Sequence, residues 1–130
     1  MPIQMQIFMI LGIALCLISA AHADQANAVY YKPPYTPSAC YQNQDRGNMV
    51  TGVSDALWNG GAACGKQYRV RCIGATNTAP HPCHDGASVV VTVVDYCRPQ
   101  CNGTLNLSKD AFAVIADTDA GNVKVEFNQA

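Results

Sequence analysis

The chain has 130 residues, a net charge of −1 and only 13% charged side chains. Its eight basic residues are scattered, which excludes the basic face that nucleic acid requires and the polybasic segment of a membrane-surface protein. The length allows one modest core and not two.

Residues 7–20 form an apolar run interrupted only by Gly12 and Ser19, followed by Ala21-His22-Ala23, a small-x-small triplet of the kind signal peptidase cuts after. The expected organisation is a signal peptide over residues 1–23 and one secreted domain over 24–130. No Lys or Arg precedes the run, so the amino terminus is its only positive charge. Retention as a membrane anchor is the alternative, but the run of about fourteen residues is short of the roughly 20 that a spanning helix needs. Stable membrane insertion is not expected. About 107 residues remain after cleavage, close to the common domain size.

In chain order, Asp24 to Ala28 reads as a short polar lead and Val29-Tyr30-Tyr31 as a first strand, ended by Pro33-Pro34. Met49 to Val53 reads as a short strand. Ser54-Asp55 ahead of Ala56-Leu57-Trp58 predicts one capped helical turn, and Asn59-Gly60-Gly61 a turn. Gln67 to Cys72 alternates, with Tyr68, Val70 and Cys72 on one face and Arg69 and Arg71 on the other, which predicts a half-buried strand. Gly74 to Gly86 reads as loop. Ser88 to Val94 is rich in β-branched residues and predicts a central strand. A turn region follows Cys97. Ser108 is placed to cap a helix from Lys109 to about Ala116, with Ala111, Phe112 and Ile115 on its apolar face. Val123, Val125 and Phe127 alternate in a last strand.

Seven cysteines are present, but Cys16 lies in the signal segment. The six others, Cys40, Cys64, Cys72, Cys83, Cys97 and Cys101, read as three disulfides in an exported chain. A Cys/His metal cluster around His81, Cys83 and His84 is the rival, but the exported context favours oxidised cysteine, and no metal or other cofactor is expected. Spacing leaves all fifteen pairings open, although the loop between Cys72 and Cys83 suits a local bridge.

Two segments carry a family resemblance. Asn59-Gly60-Gly61-Ala62-Ala63-Cys64-Gly65-Lys66-Gln67-Tyr68-Arg69-Val70-Arg71-Cys72 resembles the N-G-G-A-C-G segment of expansins and the strand after it. Leu105-Asn106-Leu107-Ser108 with Ala111-Phe112 resembles their H-F-D-L-S-x-x-A-F element. Within that superfamily, Tyr30-Tyr31 and the Pro-rich stretch to Cys40 are most similar to the plant natriuretic peptide group, which has an endoglucanase-45-like domain. Ala62 to Lys66 also repeats a barwin segment. The resemblance implies a mainly β fold: a disulfide-stapled, six-stranded double-psi β-barrel with one or two short helices. It implies an apoplastic, extracellular monomer without the second, carbohydrate-binding domain of expansins. By analogy with barwin the resemblance implies pairing of Cys40 with Cys64, with Cys72 joined to Cys83 and Cys97 to Cys101.

Glycosidases of this barrel invert, and need one carboxylic acid and one carboxylate. The acid position of the resembling motif is Asn106 here, and an amide has no proton to give a leaving group. The chain is therefore expected not to be an enzyme. Asp95, at the end of the Val-rich strand, aligns with a groove aspartate of expansins; a purely structural carboxylate at a strand end is the alternative. Asp45 is a second candidate carboxylate in a loop-like segment. Trp58 and a tyrosine, with Tyr30 favoured over Tyr31, are candidates to stack on sugar rings; for Trp58 a place in the core is the alternative. Asn102-Gly103-Thr104 and Asn106-Leu107-Ser108 are glycosylation sequons, and a glycan on Asn106 would obstruct the groove. The resemblance implies first a non-enzymatic extracellular signal in water and ion homeostasis or stress, acting on a cell-surface receptor. The alternatives are a cell-wall polysaccharide-binding or wall-loosening protein and a barwin-like defence protein that binds fungal wall glycans.

Overall fold

A computed structural model describes residues 23–97, 101 and 103–130. The predicted signal segment as far as His22, and Asn102, lie outside the described residues. Six strands close into a barrel: β1 (Asp24–Tyr31), β2 (Val50–Val53), β3 (Gln67–Ala75), β4 (Val89–Tyr96), β5 (Leu105–Ser108) and β6 (Val123–Gln129). Around the barrel their order is β1-β5-β2-β4-β3-β6. Strands β1/β5 and β2/β4 pair in parallel and the other neighbours antiparallel. This is the double-psi barrel that the resemblance implies. Two short helices complete it, α1 (Asp55–Trp58) and α2 (Lys109–Ile115).

The barrel interior follows from period-two alternation. Ala28, Val53, Val70, Val91, Val93, Leu105, Leu107, Val123 and Val125 are inward and fully buried. Helix α2 closes one side with Ala111, Phe112 and Ile115. Ser108 caps it, its Oγ accepting from Ala111 N–H at 3.1 Å and donating to the Asn48 carbonyl at 2.6 Å. The turn before α1 differs from expectation, because the Ser54 side chain makes no capping bond. Its backbone carbonyl accepts from Leu57 and Trp58 instead.

Two strands depart from the sequence reading. The polar lead Asp24 to Ala28 is the first half of β1, paired residue for residue with Phe127 to Val123 of β6. Its inward residues, Ala26 and Ala28, are small and weak in β-propensity, so barrel closure and not local preference makes it a strand. The turn region before Ser108 contains β5, whose pattern is only Leu105 and Leu107 in four residues.

The cysteines are joined as Cys40–Cys64, Cys72–Cys83 and Cys97–Cys101. The first ties the long connection between β1 and β2 to the turn that enters β3. Gly65, next to Cys64, has φ +83°, and a Cβ there would sit 2.8 Å from the Tyr41 hydroxyl, so the turn requires glycine.

Candidate functional site

The outer face of β5, β2 and β4 carries two of the candidate residues, Asp95 and Asn106. Gly52 in β2 pairs with Asn106 of β5 on one side and with Asp95 of β4 on the other. The register of β2 against β4 shifts between Thr51 and Gly52. Thr51 pairs with Val93 and Gly52 with Asp95, so Val94 is the extra residue of a bulge. The bulge lets Val94 and Asp95 serve the same outer face, while Val93 stays in the core. A Cβ on Gly52 would lie 3.5 Å from the Asp95 carbonyl and 3.7 Å from Asn106 Cβ. The missing side chain leaves a backbone floor between Asp95 and Asn106. Gly52 is the member of this face that the sequence reading omitted; an isolated glycine inside a strand pattern is the signal that marks it.

Asp95 holds the structure together at this point. Its Oδ1 accepts from Ala39 N–H at 3.1 Å and from Tyr96 N–H at 2.9 Å. The first bond fastens the β1–β2 connection to β4. Oδ2 has no hydrogen-bond partner among the described residues.

Tyr31, not Tyr30, is the tyrosine in the field of Asp95. Tyr30 turns to the core side and packs on Phe112, ring centroids 4.9 Å apart. Tyr31 joins a second, outer cluster with Tyr35, Tyr41, Val50 and Val94, its ring edge-on to Tyr35 at 5.2 Å. Burial first, then the charge of Asp95 and the neighbouring Tyr35, push the Tyr31 hydroxyl well above its ordinary value. That hydroxyl is buried without a hydrogen-bond partner among the described residues. The unfolded phenol ionises near pH ~10, whereas the folded one keeps its proton to higher pH. Folded protein therefore binds more protons above pH ~10, and stability falls as pH rises from there. Tyr31→Phe removes this loss and an unpaired buried hydroxyl. We expect a variant as stable as the parent at neutral pH, or more stable by up to about 1 kcal/mol, with its alkaline unfolding midpoint shifted upward in a circular-dichroism titration.

Trp58 is the last residue of α1, after β2. It is half-buried, touches the core, and its ring is tilted 30° to that of Tyr96 with centroids 5.2 Å apart. The Tyr96 hydroxyl donates to Asp55. Asp45 lies apart, in the β1–β2 connection. It accepts from Gly47 N–H at 2.8 Å in a tight turn, and with Tyr35 and Val94 it lines a recess of only about 10 Å³. That is room for about one water molecule and no sugar. Asn106 occupies mid-strand, with the Ser108 hydroxyl of its sequon committed to the two bonds of the α2 cap. Among the described residues no group of three or more His, Cys, Asp and Glu is arranged to hold a metal ion. No helix among them is long and apolar enough to cross a membrane.

The family profile described as "Lytic transglycolase" matches residues 50–127. An EG45-like domain containing protein of Citrus jambhiri is 48% identical, the match covering all of both chains. The chain belongs to the EG45-like domain protein family. A second EG45-like relative, EG45-like domain containing protein 2 of Arabidopsis thaliana, is 57% identical over 88% of this chain and 86% of its own. The fold is shared more widely. A mutant of Clavibacter michiganensis expansin, solved in complex with cellohexaose, superposes with a TM-score of 0.66 at 24% identity. The match covers 84% of this EG45-like chain and 50% of that expansin, so the chain spans about half the expansin's length.

Proposed function

We propose that the domain over residues 24–130 is a secreted, apoplastic protein that binds a neutral cell-wall polysaccharide along the Asp95–Gly52–Asn106 face without hydrolysing it. The observation that carries this reading is the amide at Asn106 across Gly52 from Asp95. Inversion needs a proton donor and a base flanking the scissile bond, and this face offers one carboxylate and a group without an acidic proton. What remains suits binding: a low backbone floor and an acceptor oxygen on Asp95. The cellohexaose held by the mutant expansin supports a glucan as the ligand class.

The test is a binding screen of the secreted protein on cellulose, xyloglucan and chitin, with its mass measured intact. Binding to cellulose or xyloglucan is expected, with a mass corresponding to a chain that begins at Asp24 and contains three disulfides. Retention on chitin alone would favour the barwin-like defence reading, and failure to bind all three would remove both glycan readings.

A second reading is a mobile apoplastic signal of the natriuretic peptide type, acting through a cell-surface receptor on water and ion movement. The Tyr30-Tyr31 pair and the Pro-rich stretch to Cys40, similar to the natriuretic peptide group, support it. Swelling of plant protoplasts by the folded protein but not by its reduced form would support this reading, and no volume response would count against it.

A further inference from the structure

We infer that the depression between the end of β1 and helix α2 is a second binding site, for a carboxylate carried on a ring with an apolar face. The depression measures about 520 Å³ and is lined by Lys32, Pro33, Tyr35, Lys109, Asp110 and Ala113. Its volume lies in the range of small-ligand sites.

The barrel's topology brings the two lysines together. Strands β1 and β5 run parallel, and Tyr31 pairs with Ser108 at their common end. The next residue of each strand is a lysine, so Lys32 and Lys109 leave the sheet side by side. Neither ammonium has an ion pair or hydrogen bond among the described residues; the salt bridge found there joins Arg71 and Glu126. Asp110, the residue after Lys109, lines the same depression. Its Oδ2 accepts the Tyr35 hydroxyl at 2.8 Å, and its own N–H reaches that same hydroxyl at 3.4 Å. This pair of bonds ties Asp110 to Tyr35, and two lysines against one carboxylate leave the lining with a net positive charge for an outside anion.

Two adjacent cations repel each other until an anion sits between them, and charge-assisted bonds to a carboxylate are the strong class. The pyrrolidine of Pro33 and the methyl of Ala113 give the wall an apolar part against which a ring would lie. An inorganic anion would leave that wall bare, and a neutral hexose would leave the lysines unpaired. The site has the opposite sign to the Asp95 face, from which it is separated by the Tyr31–Tyr35 ring pair. It stands independently of the glycan reading of that face. The carboxylate ring has two natural sources, a uronic acid residue in a polymer and a free ring carboxylic acid.

Trigalacturonate, benzoate and cellohexaose, each titrated into the secreted protein and followed by NMR, test this directly. Trigalacturonate or benzoate should shift resonances of Lys32, Lys109 and Ala113, and the shifts should weaken with added salt. Binding by trigalacturonate alone identifies the polymer source, and by benzoate alone the free acid. Lys32→Glu combined with Lys109→Glu should weaken that binding at least about tenfold, while Lys32→Arg with Lys109→Arg retains it. Asp95→Asn should leave it unchanged, whatever it does to cellohexaose. No binding of either carboxylate, or equal binding by the folded charge-reversed protein, would overturn the inference.

Discussion

Phe112→Ala is expected to lower the unfolding free energy by about 3–5 kcal/mol. Phe112 is fully buried in the main core. It is the largest of the three buried residues through which α2 reaches the barrel, and Tyr30 packs on its ring at 4.9 Å. Truncation loses the transfer energy of the ring, leaves a cavity and removes the aromatic contact. The barrel's strands form a closed hydrogen-bonded cylinder and cannot collapse freely onto the space. A domain of this size has roughly 5–15 kcal/mol in total, so the variant should sit near the edge of folding at growth temperature. Urea unfolding of parent and variant checks this. A loss below about 1 kcal/mol would mean that α2 packs differently from the arrangement described.

The second large effect concerns Cys40–Cys64. Replacing both cysteines by alanine should cost about 3.5 kcal/mol on the chain-entropy relation, since the bond closes a loop with a sequence separation of 24. The bridge between Cys72 and Cys83, separated by 11 residues, should be worth about 0.7 kcal/mol less. The longer bridge also has a consequence for the site. It holds the connection whose Ala39 N–H binds Asp95 Oδ1. Loss of the bond should therefore weaken glycan binding under conditions where the variant is still folded, whereas loss of Cys72–Cys83, which is bonded elsewhere, should not. Denaturant midpoints and cellohexaose titrations of the two double variants separate these outcomes. Equal effects of both on binding would contradict the role given to the connection.

Much of the barrel is legible from local chemistry. The alternation of Tyr68 and Val70 with Arg69 and Arg71, the β-branched run of β4 and the Ser108 cap each express a physical preference strong enough to read in isolation. The first half of β1 and all of β5 do not, because small or few inward side chains leave almost no periodic signal. One of these gaps led directly to the choice of tyrosine. Tyr30 and Tyr31 must face opposite ways, but which one faces outward depends on the parity of the whole strand. Once Ala26 and Ala28 are seen to point inward, Tyr30 follows them and Tyr31 meets Asp95. The bulge at Val94 is likewise set by pairing with β2, a contact remote in sequence. A motif singles out Asn106, while the glycine between it and Asp95 is a property of the register.

The central claim is a binding face with a single carboxylate. Its most direct test is cellohexaose incubated with the parent protein and with Asp95→Asn, measuring affinity by titration and products by chromatography. Asn at this position keeps an acceptor oxygen for Ala39 and Tyr96, but replaces the Oδ2 acceptor with an NH2 donor as it removes the charge. The account predicts that the parent binds, that Asp95→Asn binds about five- to tenfold more weakly through loss of a charged acceptor, and that neither shortens the oligosaccharide. Release of shorter glucans by the parent, abolished in Asp95→Asn, would contradict it.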